Sequence, residues 1–204
     1  MEILASDSCV QEKKLFQQFL DCGGILNGHF ILASGLHSAT YVQCAAFLQN
    51  PQRAESAAAS LVQKIPNSVV DLIDLVVAPA MGGLIIGHEV ARALNKDFIF
   101  FERVDNVFTL KRFDIKPDLN VLLVEDVVTT GNSSLEVVDQ LRLHNAKVIT
   151  EVAIINRAGQ SLQKKFSFQF FSLLNLNIKT FDKQNLPQDL KLIPAKRVGS
   201  KRIC

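Results

Sequence analysis

Residues 121–133, VLLVEDVVTTGNS, constrain this chain more than any other stretch. Val121, Leu122, Leu123 and Val124 form a short continuous apolar run, as in a strand covered on both faces of a parallel sheet. Glu125 and Asp126 then stand at the carboxyl end of that strand, where open α/β sheets hold their ligands. Val127 and Val128 lead into five small residues, Thr129, Thr130, Gly131, Asn132 and Ser133, and the helical pattern of Leu135, Val138 and Leu141 follows. A helix amino terminus offers free N–H groups and a partial positive charge to a phosphate. An acidic pair beside such an anion nest suits a phosphorylated sugar.

The surrounding pattern predicts an α/β protein with a parallel sheet. Strands are expected at 75–78, 98–102, 121–124 and 148–155, and helices at 84–94 and 133–143. Their alternation implies right-handed parallel crossovers. A further strand is expected within 166–174. Toward the amino terminus, Ser8 with Gln11 can form a capping box for a helix carrying Leu15, Phe16 and Phe19 on one face, stopped by Gly23 and Gly24. Short strands are expected at 30–32 and 40–43. Asn50 as cap and Pro51 in the first turn open an alanine-rich helix that must stop near Pro66.

Composition narrows the partners. The chain has 204 residues and a formal net charge of +2, too little to argue for nucleic acid or a membrane surface, although Lys191, Lys196, Arg197, Lys201 and Arg202 make the tail locally basic. Cys9, Cys22, Cys44 and Cys204 show neither metal-ligand spacing nor a secretory context, which predicts reduced thiols in a cytoplasm. No apolar run is long enough to span a bilayer.

The 121–133 stretch resembles the PRPP-binding motif of the type I phosphoribosyltransferases, in which an acidic pair flanked by apolar residues precedes a threonine- and glycine-containing phosphate loop. Residues 28–41, GHFILASGLHSATY, look like the amino-terminal signature of the orotate-using branch of that family. Residues 153–159, AIINRAG, and 192–202, LIPAKRVGSKR, resemble its later strand and closing segment. The resemblance implies the type I fold, a parallel sheet flanked by helices, as a single domain over 1–204. A small hood would come from about 1–45 and 185–204 around a core of about 66–182. It also implies transfer of a phosphoribosyl group from PRPP to orotate in pyrimidine biosynthesis, Mg²⁺ as cofactor, and a homodimer sharing active sites.

Three strand-end loops carry the implied site. Ala80, Met81 and Gly82, in APAMGG, correspond to the pyrophosphate loop, which in this family often contains a non-proline cis peptide. The run 103–117 corresponds to the catalytic loop. There Arg103 matches the first basic residue, but Val104, Asp105, Asn106 and Val107 replace the expected lysines and histidine. Val107 and Thr109 alternate with Phe108 and Leu110 as in a β-ribbon, with Lys111 and Arg112 at its far end as substitute cations. The third loop holds Arg157, aligned with the family's orotate-binding arginine, whose planar fork suits a carboxylate or imide edge.

By the same resemblance, Asp126, Glu125, Arg103 and Lys111 are the catalytic candidates. PRPP would be bound by Arg103, Glu125, Asp126, Val127, Val128, Thr129, Thr130, Gly131, Asn132, Ser133, Ala80, Met81 and Gly82. Orotate would be bound by Thr129, Arg157 and Ser34. No protein metal ligands are expected, since Mg²⁺ would rest on the substrate and water. His37 is expected to be structural or solvated rather than catalytic. Two alternatives stay open: a different base, or a PRPP-binding regulator without catalysis, the latter suggested by Gly82, Ala33, Val104 and Val107 standing where relatives carry basic residues.

Overall fold

The computed structural model describes residues 2–3, 10–32, 34–159 and 161–198. It divides into two compact units, Leu48–Leu176 and, separately, Met1–Phe47 with Asn177–Cys204. The Ser8 capping box, Ala33, Cys9, Cys204, Lys201 and Arg202 lie outside the described residues.

The larger unit is organised by five strands, β1 (Leu75–Pro79), β2 (Asp97–Val104), β4 (Asn120–Val128), β5 (Lys147–Asn156) and β6 (Gln169–Asn177), together with β3 (Val107–Thr109), which folds back on β2. Their order across the sheet is β6-β5-β4-β1-β2-β3. Neighbours run parallel except for the antiparallel β2–β3 hairpin. The chain leaves β1 toward β2 on one side and later places β4 on the other. The loops after β1 and β4 therefore part at a topological switch point, the position where open α/β sheets form a ligand crevice.

Helix α3 (Asn132–Leu143) covers one face, its Val137, Val138 and Leu141 packing with Leu75, Val77, Val121, Leu123 and Val148. Side chains alternate along a strand, so Ala78 points to the other face. There the helix α2 (Gly83–Leu94) comes so close that a Cβ on Gly83 or Gly87 would lie 2.9 or 3.0 Å from the Ala78 methyl. The alanine-rich helix α1 (Pro51–Lys64) begins as the sequence requires. Asn50 is extended and its side chain accepts from the Arg53 N–H at 3.0 Å, while Pro51 fills the first turn, where an N–H has no helical partner.

Several boundaries differ from the sequence expectation. The motif strand does not end at Val124 but runs to Val128, because β5 continues pairing through Val127↔Ile155 and Val128↔Asn156. The carboxylates of Glu125 and Asp126 thus project from a hydrogen-bonded strand rather than from a loop. Phe166 lies before β6, after a short helix Ser161–Lys165 that the pattern did not suggest. The β2–β3 hairpin turns through Asp105 and Asn106, both at positive φ (49° and 66°), the left-handed pair that a two-residue hairpin demands.

In the smaller unit, strands Ile25–Ile31 and His37–Val42 pair antiparallel, wider than the 30–32 and 40–43 expected. Thr180–Phe181 and Lys196–Arg197 flank them. His37 is buried, and its Nδ1 meets Nε2 of buried His29 at 2.6 Å, while His29 Nδ1 meets the Ile193 carbonyl at 2.8 Å. That network gives His37 a structural partner. The helix Val10–Asp21 contributes Phe19, stacked on Phe47 at 4.3 Å between ring centroids.

Candidate active site

The crevice at the switch point is built from strand ends. On the β4 side a small polar pocket is lined by Glu125, Val127, Val128 and the run 129–134, so the acidic strand end and the phosphate-type loop share one concavity. Gly131 opens α3 at φ +73°, a backbone conformation only glycine adopts without strain. A Cβ there would also lie 2.8–2.9 Å from Phe166 and Leu162. Asn132, Ser133 and Ser134 follow in the first helical turn, whose N–H groups lack carbonyl partners within the helix.

The acids are not equivalent. Glu125 is buried, and desolvation pushes its carboxyl well above the usual carboxylate range, reinforced by the charges of Asp126 and Glu151. Asp126 is half-buried. Burial raises it too, while the Val127 N–H, donating to Oδ1 at 2.8 Å, works in the opposite direction. In a close pair, the first proton settles on the more desolvated member. Asp126 is therefore the member of the pair that ionises more readily, and Glu125 the one that holds its proton more strongly.

On the β1 side, the Ala80–Met81 peptide is cis, as the family resemblance implied. Gly82 lies directly against Asp126: a Cβ at this position would sit 2.5 Å from Oδ1 and 2.7 Å from Oδ2. A side chain at this position therefore displaces the Asp126 carboxylate.

Arg103 ends β2 engaged on three sides. Its Nη1 donates to Glu136 Oε2 at 2.9 Å and to the Asn106 carbonyl at 2.6 Å, and the guanidinium lies 4.0 Å above the Phe108 ring. Glu136 belongs to α3, so the arginine ties the hairpin to the helix that opens with the phosphate-type loop. The β-ribbon expected here is present. Arg112 closes on Glu102 through two bonds, at 2.8 and 3.3 Å, and this pairing lowers the Glu102 pKa. Lys111 is exposed.

Arg157 stands just past β5, and its N–H donates to the Val128 carbonyl at 2.8 Å, one residue from Thr129. Asn156 shapes the turn. Its Oδ1 accepts from the Ala158 N–H (2.9 Å), and its Nδ2 donates to the Gly159 carbonyl (3.1 Å) and Asn175 Oδ1 (2.9 Å), a set that an amide provides and a carboxylate does not. Ser34 belongs to the smaller unit, where its Oγ accepts from the Leu36 N–H at 3.4 Å.

Two residues absent from the sequence expectation also belong to this region. Glu151, wholly buried on β5, accepts from Ser134 Oγ at 2.7 Å; its Oε2 has no hydrogen-bond partner, and burial raises its pKa to about 8. The available signal was a lone acid inside the apolar run VITEVAII. Lys165 reaches back from the short helix to the loop, and nothing in its local sequence marks it.

The family model for the phosphoribosyl transferase domain matches residues 44–186. The orotate phosphoribosyltransferase of Erythrobacter litoralis is 43% identical over 192 residues, covering 93% of this chain and 98% of its own length. That of Sphingopyxis alaskensis is 42% identical over 194 residues, covering 94% and 98%. Among solved structures, an orotate phosphoribosyltransferase from Aeropyrum pernix superposes with a TM-score of 0.64 at 23% identity, over 79% of this chain and 93% of that one, a likeness of fold. The chain belongs to the phosphoribosyltransferase family. Within it, the near-full-length relatives place the chain in the orotate phosphoribosyltransferase branch.

Proposed function

We propose that this protein is an orotate phosphoribosyltransferase, transferring the 5-phosphoribosyl group of PRPP to orotate and releasing orotidine 5′-monophosphate and pyrophosphate, a step of pyrimidine nucleotide biosynthesis. The observation that carries the choice of base is Arg157, hydrogen-bonded by its backbone to Val128 at the edge of the phosphate loop. The Arg157 main chain is thereby fixed one residue from Thr129; its guanidinium is assigned to the base, and Thr129 to both the sugar-phosphate and base sites.

Orotate supplies its own nucleophilic ring nitrogen, so catalysis rests on positioning and on stabilising charge. As the bond to pyrophosphate lengthens, positive charge develops on the ribose. Asp126 faces that charge, and it and Glu125 hold the ribose hydroxyls. Thr129, Thr130, Gly131, Asn132 and Ser133 hold the 5′-phosphate by their N–H groups and hydroxyls. Ala80, Met81 and Gly82 present backbone to the pyrophosphate. A pyrophosphate oxygen approaching Arg103 competes with the Glu136 carboxylate for the same guanidinium, and Lys111 is the cation of the ribbon left for the leaving group.

Mg²⁺ supplies charge neutralisation of the pyrophosphate. Among the described residues no group of three or more His, Cys, Asp and Glu side chains converges. The donors present, hard oxygens with Asp126 foremost, fit an ion that takes most of its shell from substrate and water. Met81, just before α2, and Ile85, in its first turn, are 78% and 45% exposed and offer apolar surface for a homodimer.

The test follows PRPP- and Mg²⁺-dependent consumption of orotate against a panel of purines, with Asp126→Asn alongside. Orotate is consumed, and the variant loses about a hundredfold or more in kcat while melting like the parent. Turnover with a purine but not orotate reassigns the base. PRPP binding without any turnover refutes catalysis, and parental turnover in Asp126→Asn removes the role given to that carboxylate.

A further inference from the structure

Lys165 closes the short helix Ser161–Lys165. Its Nζ donates to the Thr130 carbonyl at 2.6 Å and to Asn132 Oδ1 at 2.7 Å, thirty-five and thirty-three residues back along the chain. Both acceptors are neutral. Among the described residues, no carboxylate forms an ion pair with this lysine. An ammonium has three N–H donors, so one donor and the whole positive charge stay available at the rim of the loop. The loop itself, TTGNSS over 129–134, contains no cationic side chain.

The anchoring fixes where that charge stands. Lysine is flexible and loses rotamer freedom when held, yet two short bonds hold this one against the very residues that line the polar pocket. The Thr130 carbonyl is the negative end of a peptide dipole beside an anion site, and the ammonium covers it. Leu162, from the same short helix, is buried, and with Phe166 it packs where a Cβ on Gly131 would have to go. The helix carrying Lys165 is thus seated on the glycine that shapes the loop.

We propose that Lys165 completes the 5′-phosphate site, supplying the positive charge that the loop lacks and positioning the phosphate end of PRPP and of the product nucleotide. The proposal rests on the PRPP reading of the loop and extends it to a residue outside the motif. It is specific to the 5′ end. Pyrophosphate is held by other loops and is indifferent to Lys165.

The experiment compares Lys165→Gln, Lys165→Arg and Lys164→Gln with the parent. It measures the KM for PRPP and for orotate, inhibition by ribose 5-phosphate and by inorganic pyrophosphate, and direct ribose 5-phosphate binding by calorimetry. Lys165→Gln weakens PRPP and ribose 5-phosphate by about tenfold, the size of a lost charge-assisted hydrogen bond, and leaves orotate and pyrophosphate unchanged. Lys165→Arg recovers most of the loss, and Lys164→Gln behaves as the parent. Parental ribose 5-phosphate affinity in Lys165→Gln overturns the proposal. So does an equal weakening of ribose 5-phosphate, pyrophosphate and orotate, which is the pattern of a brace that merely kept the loop folded. If the parent turns over no base at all, the function proposed above fails, while the calorimetric comparison still decides the role of Lys165.

Discussion

Replacing Glu151 by glutamine tests the buried acid beneath the phosphate loop. In the folded protein its carboxyl titrates at about 8 against an ordinary 4.5, because burial disfavours the charged form and a single hydrogen bond from Ser134 offsets little of that cost. The sign follows from proton counts. Between about pH 4.5 and 8 the unfolded chain has released this proton and the native state has kept it, so stability falls as pH rises and levels off above about 8. At about 1.4 kcal/mol per pH unit, the shift sets a ceiling of about 5 kcal/mol on the stability lost across that window. Glutamine keeps the shape and the acceptor for Ser134 but has no proton to lose. Urea denaturation at pH steps from 5 to 9 therefore shows the parent losing stability with a steeper slope than Glu151→Gln. The two are close at pH 5, and the variant is the more stable by up to a few kcal/mol at pH 9. Glu125 contributes its own slope to both proteins; because the Glu151 charge helps to raise it, that slope is no steeper in the variant than in the parent, and the sign of the difference stands. Parallel pH profiles for parent and variant would refute the reasoning, since they would mean that Glu151 is already ionised in the native state.

The remaining predictions concern the β1 loop. Gly82→Ala drives a methyl to 2.5 Å from Asp126 Oδ1, so the carboxylate must turn away from the Val127 N–H; kcat/KM for PRPP falls about tenfold or more with little change in melting temperature, and parental kinetics would show that the contact is not felt. Ile85→Asp places a charge on the exposed apolar start of α2, and sedimentation equilibrium shows a dimeric parent and a monomeric variant; a monomeric parent removes the homodimer from the proposal.

Much of the site was legible because it is local. The order of apolar strand, acidic pair, small-residue loop and helix is a short-range pattern, and each part has a near neighbour as partner: Val127 for Asp126, Gly131 for the turn, Asn50 for its own helix. Arg157 was reachable by the same logic, as a strand-end residue. What stayed hidden depends on register between strands or on packing between distant segments. The extension of β4 to Val128 needs β5 alongside it. Glu151 reads as an isolated acid until the strand register sets it under α3 and brings Ser134 to it. The engagement of Arg103 with Glu136 and of Arg112 with Glu102 joins residues whose spacing says nothing about contact.

The sequence by itself determined that the chain would build a parallel α/β sheet with a phosphate-type loop and an acidic pair at one strand end, since apolar periodicity, caps and glycine chemistry act over a few residues. Only the tertiary structure decided which charges are available for chemistry. Burial raises the pKa of Glu125 and Glu151, pairing occupies Arg103 and Arg112, and folding of the short helix brings Lys165 to the loop. Desolvation and Coulomb attraction depend on distance in space, which separation along the chain does not fix.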